Sequence, residues 1–220
     1  MPALSAIRPE KCMSNTVPGT RGYEEVAESF IEVSQRLDFF EICSEFLDYL
    51  PPPPAWVLDA GSGAGQNAAA LARMGYSVVA VEPLAEFLNA SRKAYGGLGI
   101  TWLQDSLPQL RTLTDSFERF DFILLEGVWH HLDEDERACC LARLSGLLRL
   151  GGVCAISLRN GPAGAGRHVY PTEDATTVAD ARRCGLAVAF HRANLPSKMA
   201  NKPGVIWSRF VLKKVSTGSD

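Results

Sequence analysis

Val57-Leu58-Asp59-Ala60-Gly61-Ser62-Gly63-Ala64-Gly65 is the stretch from which the rest of this sequence can be read. Ala55 to Gly61 is a short apolar run ending in glycine, the pattern of a buried strand. Ala64–Met74 is rich in alanine and reads as a helix. Gly61 and Gly63 let the backbone turn sharply between the two and approach a ligand without a Cβ in the way. The start of the helix offers unpaired N–H groups and the positive end of a dipole, which seat an anionic group. A tight strand–helix connection with no ligand would use the same glycines, so the loop needs partners elsewhere.

Downstream, strands and helices alternate. Residues 77–82 (SVVAVE) give a second strand and Leu84–Tyr95 a helix, followed by strands at 100–104 (ITWLQ) and 120–126 (FDFILLE). A helix is expected from Asp133 to Leu150, opened by Asp133 with Glu136 three residues on as a capping box, and closed by Gly151 and Gly152. A strand at 152–159, a helix over Glu173–Cys184, a strand over Leu186–Arg192 and a last strand over Gly204–Val215 complete the series. This order implies a doubly wound α/β fold, a mostly parallel sheet covered on both faces. Its ligands bind outside the carboxyl ends of the strands, at the switch point.

Two acidic residues then gain meaning. Glu82 closes the second strand 23 residues after Asp59, near the spacing at which a carboxylate meets a ribose diol. Asp105 closes the third, where a carboxylate accepts from an amino group on adenine. Any one of the three acids alone would pass as a solvated surface group; together they converge on one edge of the sheet.

Upstream, Tyr23, Val26, Ala27, Phe30, Val33 and Leu37 recur at helical spacing, and Phe40, Cys43, Phe46, Leu47 and Leu50 extend the stripe. This predicts one amphipathic helix, or two joined near Asp38, ended by Pro51–Pro54. Residues 1–20 are polar and punctuated by proline, and read as a loose tail. The 220 residues carry 46% apolar side chains and a net charge of −3 without basic runs, so the electrostatic footprint of a nucleic-acid partner is missing. Arg8, Glu10 and Lys11 interrupt any signal-peptide core, and no apolar run approaches the roughly 20 residues that span a bilayer. Six cysteines show neither C-x-x-C spacing nor a Cys/His metal pattern. The expectation is a cytoplasmic protein with no membrane partner and no metal.

Taken in order, VLDAGSGAG, VVAVEP, LQDSLPQL, FDFILLEGVWHHL and LRLGGVCAIS resemble the motifs of class I S-adenosylmethionine-dependent methyltransferases. The resemblance runs from about Trp56 to Leu158 and loosely to the last strand. It implies a Rossmann-like core at 55–220, a seven-stranded sheet with a reversed last strand and an N-terminal helical lid at 21–50, together one methyltransferase domain. It implies S-adenosylmethionine as cofactor, with Asp59, Gly61, Ser62, Gly63 and Gly65 around its methionine part. Glu82 and Pro83 then fall at its ribose, Asp105 and Ser106 at its adenine, and Glu126, Gly127 and Val128 near its sulfonium. Tyr23 is the candidate cover, with core packing as its alternative. A nicotinamide-dependent oxidoreductase is the rival of this fold, but Gln66 stands where its fingerprint has a small residue and no S-x-x-x-Y-x-x-x-K set follows. A non-catalytic module that binds the cofactor without turnover is the other alternative.

Methyl transfer is a displacement at a carbon already activated by the sulfonium, so the enzyme chiefly holds the nucleophile in line. A general base is needed only where the acceptor atom carries a proton. His130 and His131 are the candidates, His131 favoured as nearer the helix start, with cofactor packing as the alternative role. Arg159, Arg167, His168 and Tyr170, in and after the fifth strand, are candidates to line an acceptor pocket, against the alternative of a solvated loop. Asn194–Lys202 is a further candidate rim, and Trp129 and Trp207 are either a wall for a planar acceptor or core. The expected reaction is methyl transfer to N or O of a small metabolite, an anionic one if the arginines face it.

Overall fold

A computed structural model describes residues 17–114, 120–199 and 202–216. The N-terminal stripe folds as two short helices, α1 (Ala27–Ser34) and α2 (Phe39–Ile42), followed by a 3-10 helix over Ser44–Tyr49. The break falls at Asp38, whose side chain caps α2 by accepting from the Phe40 N–H at 2.7 Å. Residues 1–16, most of the expected tail, lie outside the described residues. The end of that segment departs from the expectation: Pro18–Thr20 form a 3-10 turn on the wall of the cavity described below.

The core then alternates β1 (Trp56–Ala60), α3 (Gln66–Arg73), β2 (Ser77–Val81), α4 (Ala85–Tyr95), β3 (Thr101–Leu103), β4 (Phe120–Leu125), α5 (Glu134–Leu147), β5 (Leu148–Asn160), α6 (Asp174–Arg183), β6 (Leu186–Pro196) and β7 (Ile206–Lys214). The seven strands lie in the order β3-β2-β1-β4-β5-β7-β6. Strands β1 to β5 pair in parallel, and β7 runs antiparallel between β5 and β6. The order reverses between β1 and β4, which is the switch point of a doubly wound sheet.

Both sheet faces are dry. Leu58, Ile123 and Ile156 join Leu141, Leu144 and Ala181 on the face covered by α5 and α6. Val57, Phe122 and Ala155 join Phe39, Phe46, Ala68 and Leu71 on the face covered by the N-terminal helices and α3. That is why the parallel strands read as nearly continuous apolar runs. The N-terminal stripe is buried only in part, with Phe39, Cys43 and Phe46 turned in and Val33 and Phe40 exposed.

The capping box at Asp133 and Glu136 is present in both directions, at 2.9 and 2.8 Å, a stabilisation of about 0.5–2 kcal/mol. The far end of α5 corrects the sequence reading. The helix stops at Leu147, and Leu148 is already extended and paired with Phe120 of β4. Gly151 and Gly152 therefore lie inside β5, in an irregularity that sets Arg149 to Gly152 against Asp121 alone. An ion pair of Arg149 with Asp121, at 3.0 Å, pins it. Tertiary pairing overrode the glycine stop signal. Among the described residues no helix is long and apolar enough to cross a membrane.

Candidate active site

A cavity of about 560 Å³ opens beyond the carboxyl ends of the strands, and the N-terminal segment from Val17 to Ile42 supplies its outer wall. Its floor is the glycine loop. Gly61 and Gly65 adopt φ of +80° and +83°, and each meets its neighbours closely. A Cβ at Gly61 would lie 2.7 Å from Val128 Cγ2, and one at Gly65 2.7 Å from Ser91 Oγ. Both positions therefore require glycine twice over, for conformation and for space. The Gly61 and Ser62 amides donate to the Val81 carbonyl at 2.9 Å, tying the loop to β2. Gly65 is the N-cap residue and α3 starts at Gln66, two residues later than the alanine pattern predicted.

Asp59 and Gly65 sit behind the wall, whereas Gly61, Ser62, Gly63, Glu82, Pro83, Asp105 and Ser106 face the cavity. Asp59 is 1% exposed, and among the described residues its Oδ2 lacks a partner, as does the Ser62 hydroxyl. Burial pushes the Asp59 carboxyl up to about 7, opposed by the Ala68 N–H and reinforced by Glu82 and Glu126. Glu82 is braced by two amides, accepting from Gly63 at Oε2 and Leu84 at Oε1, both at 2.9 Å. Burial still pushes it up to about 7, against those two hydrogen bonds. A carboxylate has about four acceptor sites, so Glu82 keeps two toward the cavity. Asp105 is more occupied: it accepts from the Ser106 N–H at 2.8 Å and from the Thr112 N–H and hydroxyl at 2.6 and 2.8 Å.

Glu126, Gly127 and Val128, after β4, form the next part of the wall, together with His130 and His131. His130 is 5% exposed and its Nδ1 has no partner among the described residues. Burial, with His131, Arg159 and Arg137 nearby, pushes it down to about 2, so the ring stays neutral. His131 has both nitrogens engaged. Nδ1 lies 2.8 Å from the His168 carbonyl and must donate, so Nε2 accepts from the Tyr23 hydroxyl at 3.0 Å. Tyr23 also meets Phe30 edge-on at 5.0 Å, and Phe30 stacks on Phe87 at 5.0 Å. Gly166 packs so tightly here that a Cβ would collide with His131 Cε1. One imidazole thus fastens the N-terminal strap to the loop after β5.

That loop divides the predicted acceptor residues. Arg159 is on the wall and buried, and its guanidinium donates to the Pro162 carbonyl. Arg167, His168 and Tyr170 are not on the wall, which corrects the sequence reading. Gly164, Ala165 and Gly166 face the cavity instead, and the chain then carries the following side chains away. Arg167 pairs with Glu25 on the surface and its N–H donates to Arg21 at 2.9 Å. The His168 Nε2 lies 2.6 Å from the Tyr170 hydroxyl. The loop closes the cavity by its backbone and leaves those three side chains to brace it. Of the two tryptophans, Trp129 is fully buried and Trp207 lines the cavity, with Ser197, Lys198, Met199 and Lys202 on the rim.

Sequence reasoning missed Arg209. It is 3% exposed on β7, pairs with Glu126, and lies 3.9 Å by its Nε from Glu45, which in turn takes Lys198 at 2.7 Å. Its guanidinium is sandwiched 5.0 Å from the Trp207 ring and 5.5 Å from Phe46. The available signal was period two: once Trp207 is taken to face the cavity, Arg209 faces it as well.

A family model described as a methyltransferase domain matches residues 58–156. An uncharacterized methyltransferase of Mycobacterium tuberculosis is 34% identical over 111 residues, which are 48% of this chain and 54% of that protein. The chain thus spans about half the length of the curated relatives it matches. A TehB-like S-adenosylmethionine-dependent methyltransferase of Corynebacterium glutamicum superposes with a TM-score of 0.63 at 21% identity, covering 89% of this chain and 98% of that one. A 1,6-didemethyltoxoflavin N1-methyltransferase of Burkholderia thailandensis, solved with its substrate and S-adenosylhomocysteine, gives 0.65 at 22% identity, covering 87% and 86%. The structural likenesses show the fold, and residues 58–156, which carry the glycine loop, Glu82 and Asp105, are similar to a methyltransferase domain.

Proposed function

We propose that this chain is an S-adenosylmethionine-dependent methyltransferase acting on N or O of a small, anionic acceptor. The observation that carries the reading is Glu82, a buried carboxylate anchored by two amides with its remaining acceptor sites toward a cavity floored by glycine. The residues present fit the cofactor, because Ser62 and Asp59 hold buried oxygens without partners beside the loop that would take its methionine end. When bound, S-adenosylmethionine supplies a methyl group on a sulfonium. Glu82 accepts from the ribose hydroxyls, Asp105 and Ser106 border the adenine, and Glu126 to Val128 border the sulfur. Tyr23 and Phe30 cover the site and exclude water.

The two histidines take different parts. Protonating His130 would put a cation in a buried pocket beside Arg159, so it serves as a neutral hydrogen-bonding group for the acceptor. His131 is a positioning residue, spent on the strap. Catalysis then rests on in-line placement, worth several orders of magnitude without a proton transfer. The acceptor atom brings its own lone pair. The five described cysteines are free thiols, consistent with a reducing cytoplasm, and the net charge of −3 argues against a nucleic-acid acceptor.

Calorimetry tests the cofactor and a metabolite screen that follows S-adenosylhomocysteine release tests the activity. S-adenosylmethionine or its demethylated product is expected to bind and NADH is not. Binding of NADH with no affinity for either sulfur nucleoside would overturn the proposal.

A further inference from the structure

The ribbon of β5 and β7 says what kind of acceptor the cavity takes. In an antiparallel pair, residues directly opposite share a face, and so do residues two apart on one strand. Arg159 stands opposite Trp207 and Ser157 opposite Arg209, so the four side chains lie on one face. Ser157 is used inside the fold, accepting from the Gly127 N–H at 2.7 Å. The other three reach the cavity wall.

The two arginines differ in their partners. Arg209 is answered by Glu126 and stacked between Trp207 and Phe46. Arg159 is 8% exposed and, among the described residues, has no carboxylate partner; its guanidinium donates to the Pro162 carbonyl and otherwise faces the neutral groups Tyr23, His130 and His131. A buried cation without an anion is costly, and the planar fork of a guanidinium matches the two oxygens of a carboxylate. Lys202 on the rim adds to the positive field. Beside this unanswered charge stands a fixed flat surface. Trp207 is held by the Arg209 guanidinium and by the edge-on ring of His130, at 6.4 Å and 87°. A side chain so held offers an aromatic plane at little cost in conformational entropy. Val128, Met199 and Val205 make the surroundings apolar.

We propose that the methyl acceptor is a planar aromatic or heteroaromatic acid, its ring against Trp207 and its acidic oxygens on Arg159. This rests on the cavity being the methyl-transfer site. An aliphatic acid would satisfy Arg159 and waste the aromatic plane, and a neutral ring would leave the cation unanswered.

The full chain, saturated with S-adenosylhomocysteine, is titrated by calorimetry with benzoate, quinaldate and indole-3-carboxylate. Their carboxamides and cyclohexanecarboxylate serve as matched controls. At least one ring acid should bind roughly 10-fold or more tighter than its carboxamide and than the saturated acid. Arg159→Gln should remove the advantage over the carboxamide, and Trp207→Leu the advantage over the saturated acid. Neither should change the affinity for S-adenosylhomocysteine, which also shows that the variants fold. If no ring acid binds, or acid, amide and saturated acid bind alike, the proposal is overturned. A loss of S-adenosylhomocysteine affinity in Arg159→Gln would overturn it too, because the guanidinium would then hold the cofactor's own carboxylate. Failure of the parent chain to bind S-adenosylhomocysteine appears before any acid is added, and would instead remove the methyltransferase reading on which the proposal stands.

Discussion

At the ends of β2 and β3 the charged groups around the cavity are carboxylates, with Asp59 of β1 buried behind them, and on β5 and β7 they are guanidinium groups. The carboxylates Asp59, Glu82 and Asp105 each belong to a short stretch at the end of one strand, and backbone N–H groups of the same or the adjoining loop hold Glu82 and Asp105. The basic side is assembled over longer range. Arg159 and Arg209 lie on strands joined only through antiparallel pairing, and Arg209 is packed by Glu45 and Phe46 from the N-terminal segment. The acidic side is thus built by local loops, whereas the basic side depends on packing between distant segments; on the proposed function the first would hold the cofactor and the second would face the acceptor.

The two arginines give the largest test of that contrast. Arg209→Met would leave Glu126, whose side chain is only one-tenth exposed, without its cation, and a stability loss of up to about 3 kcal/mol is expected in urea unfolding. Arg159→Met replaces a buried cation that has no anion among the described residues, so stability should hold or rise in the same assay. Equal losses in both would break the distinction between a paired and an unpaired arginine.

On the acidic side, Glu82→Ala removes an acceptor of charge-assisted hydrogen bonds worth about 1.5–3 kcal/mol, or roughly 10- to 150-fold in affinity for S-adenosylhomocysteine. Calorimetry reads it, and an unchanged affinity would remove Glu82 from the site. The same carboxylate carries a pH signature. Asp59 and Glu82 are raised from 3.8 and 4.5 to about 7, so the ligand-free fold binds protons that the unfolded chain has released. These two groups contribute stability that is lost as pH rises through about 7, while His130 and His131, held below 6.5, contribute in the opposite sense, so the Glu82 share is read as the change with pH in the melting-temperature difference between the parent and Glu82→Gln. Binding of the cationic cofactor favours the ionised carboxylates, so protons should be released on binding near pH 7, which titrations in two buffers of different ionisation enthalpy measure. The smallest effect concerns the strap. Tyr23→Phe deletes one neutral hydrogen bond of about 0.5–1.5 kcal/mol, and S-adenosylhomocysteine should dissociate roughly two- to tenfold faster.

What could be read in advance follows the same division. The places of Gly61, Gly63 and Glu82 at the cavity are legible because loop geometry and strand spacing are local properties, and the Asp133–Glu136 cap is legible for the same reason, whereas Asp59, read with them, lies behind the wall. The glycines at 151 and 152 misled because a strand partner, invisible in the sequence, captured Leu148 first. Arg167, His168 and Tyr170 were grouped with Arg159 by proximity along the chain, but a crossover that turns its backbone to the cavity sends neighbouring side chains elsewhere. Arg209 stayed hidden because its burial depends on segments more than a hundred residues upstream.

The hydrogen bonds of His131 have a consequence for how experiments on this molecule separate. Nδ1 donates to the His168 carbonyl and Nε2 accepts from the Tyr23 hydroxyl, a pattern only the neutral ring can make, and burial holds the ring below its ordinary value of 6.5. The latch formed by Tyr23, His131 and the His168 carbonyl is therefore complete above the ordinary imidazole range. A dissociation rate followed at about pH 8, where the ring is neutral and Asp59 and Glu82 are mostly ionised, reports the latch. A pH profile of cofactor affinity measured side by side on the parent and Tyr23→Phe separates the carboxylates of the floor from the strap.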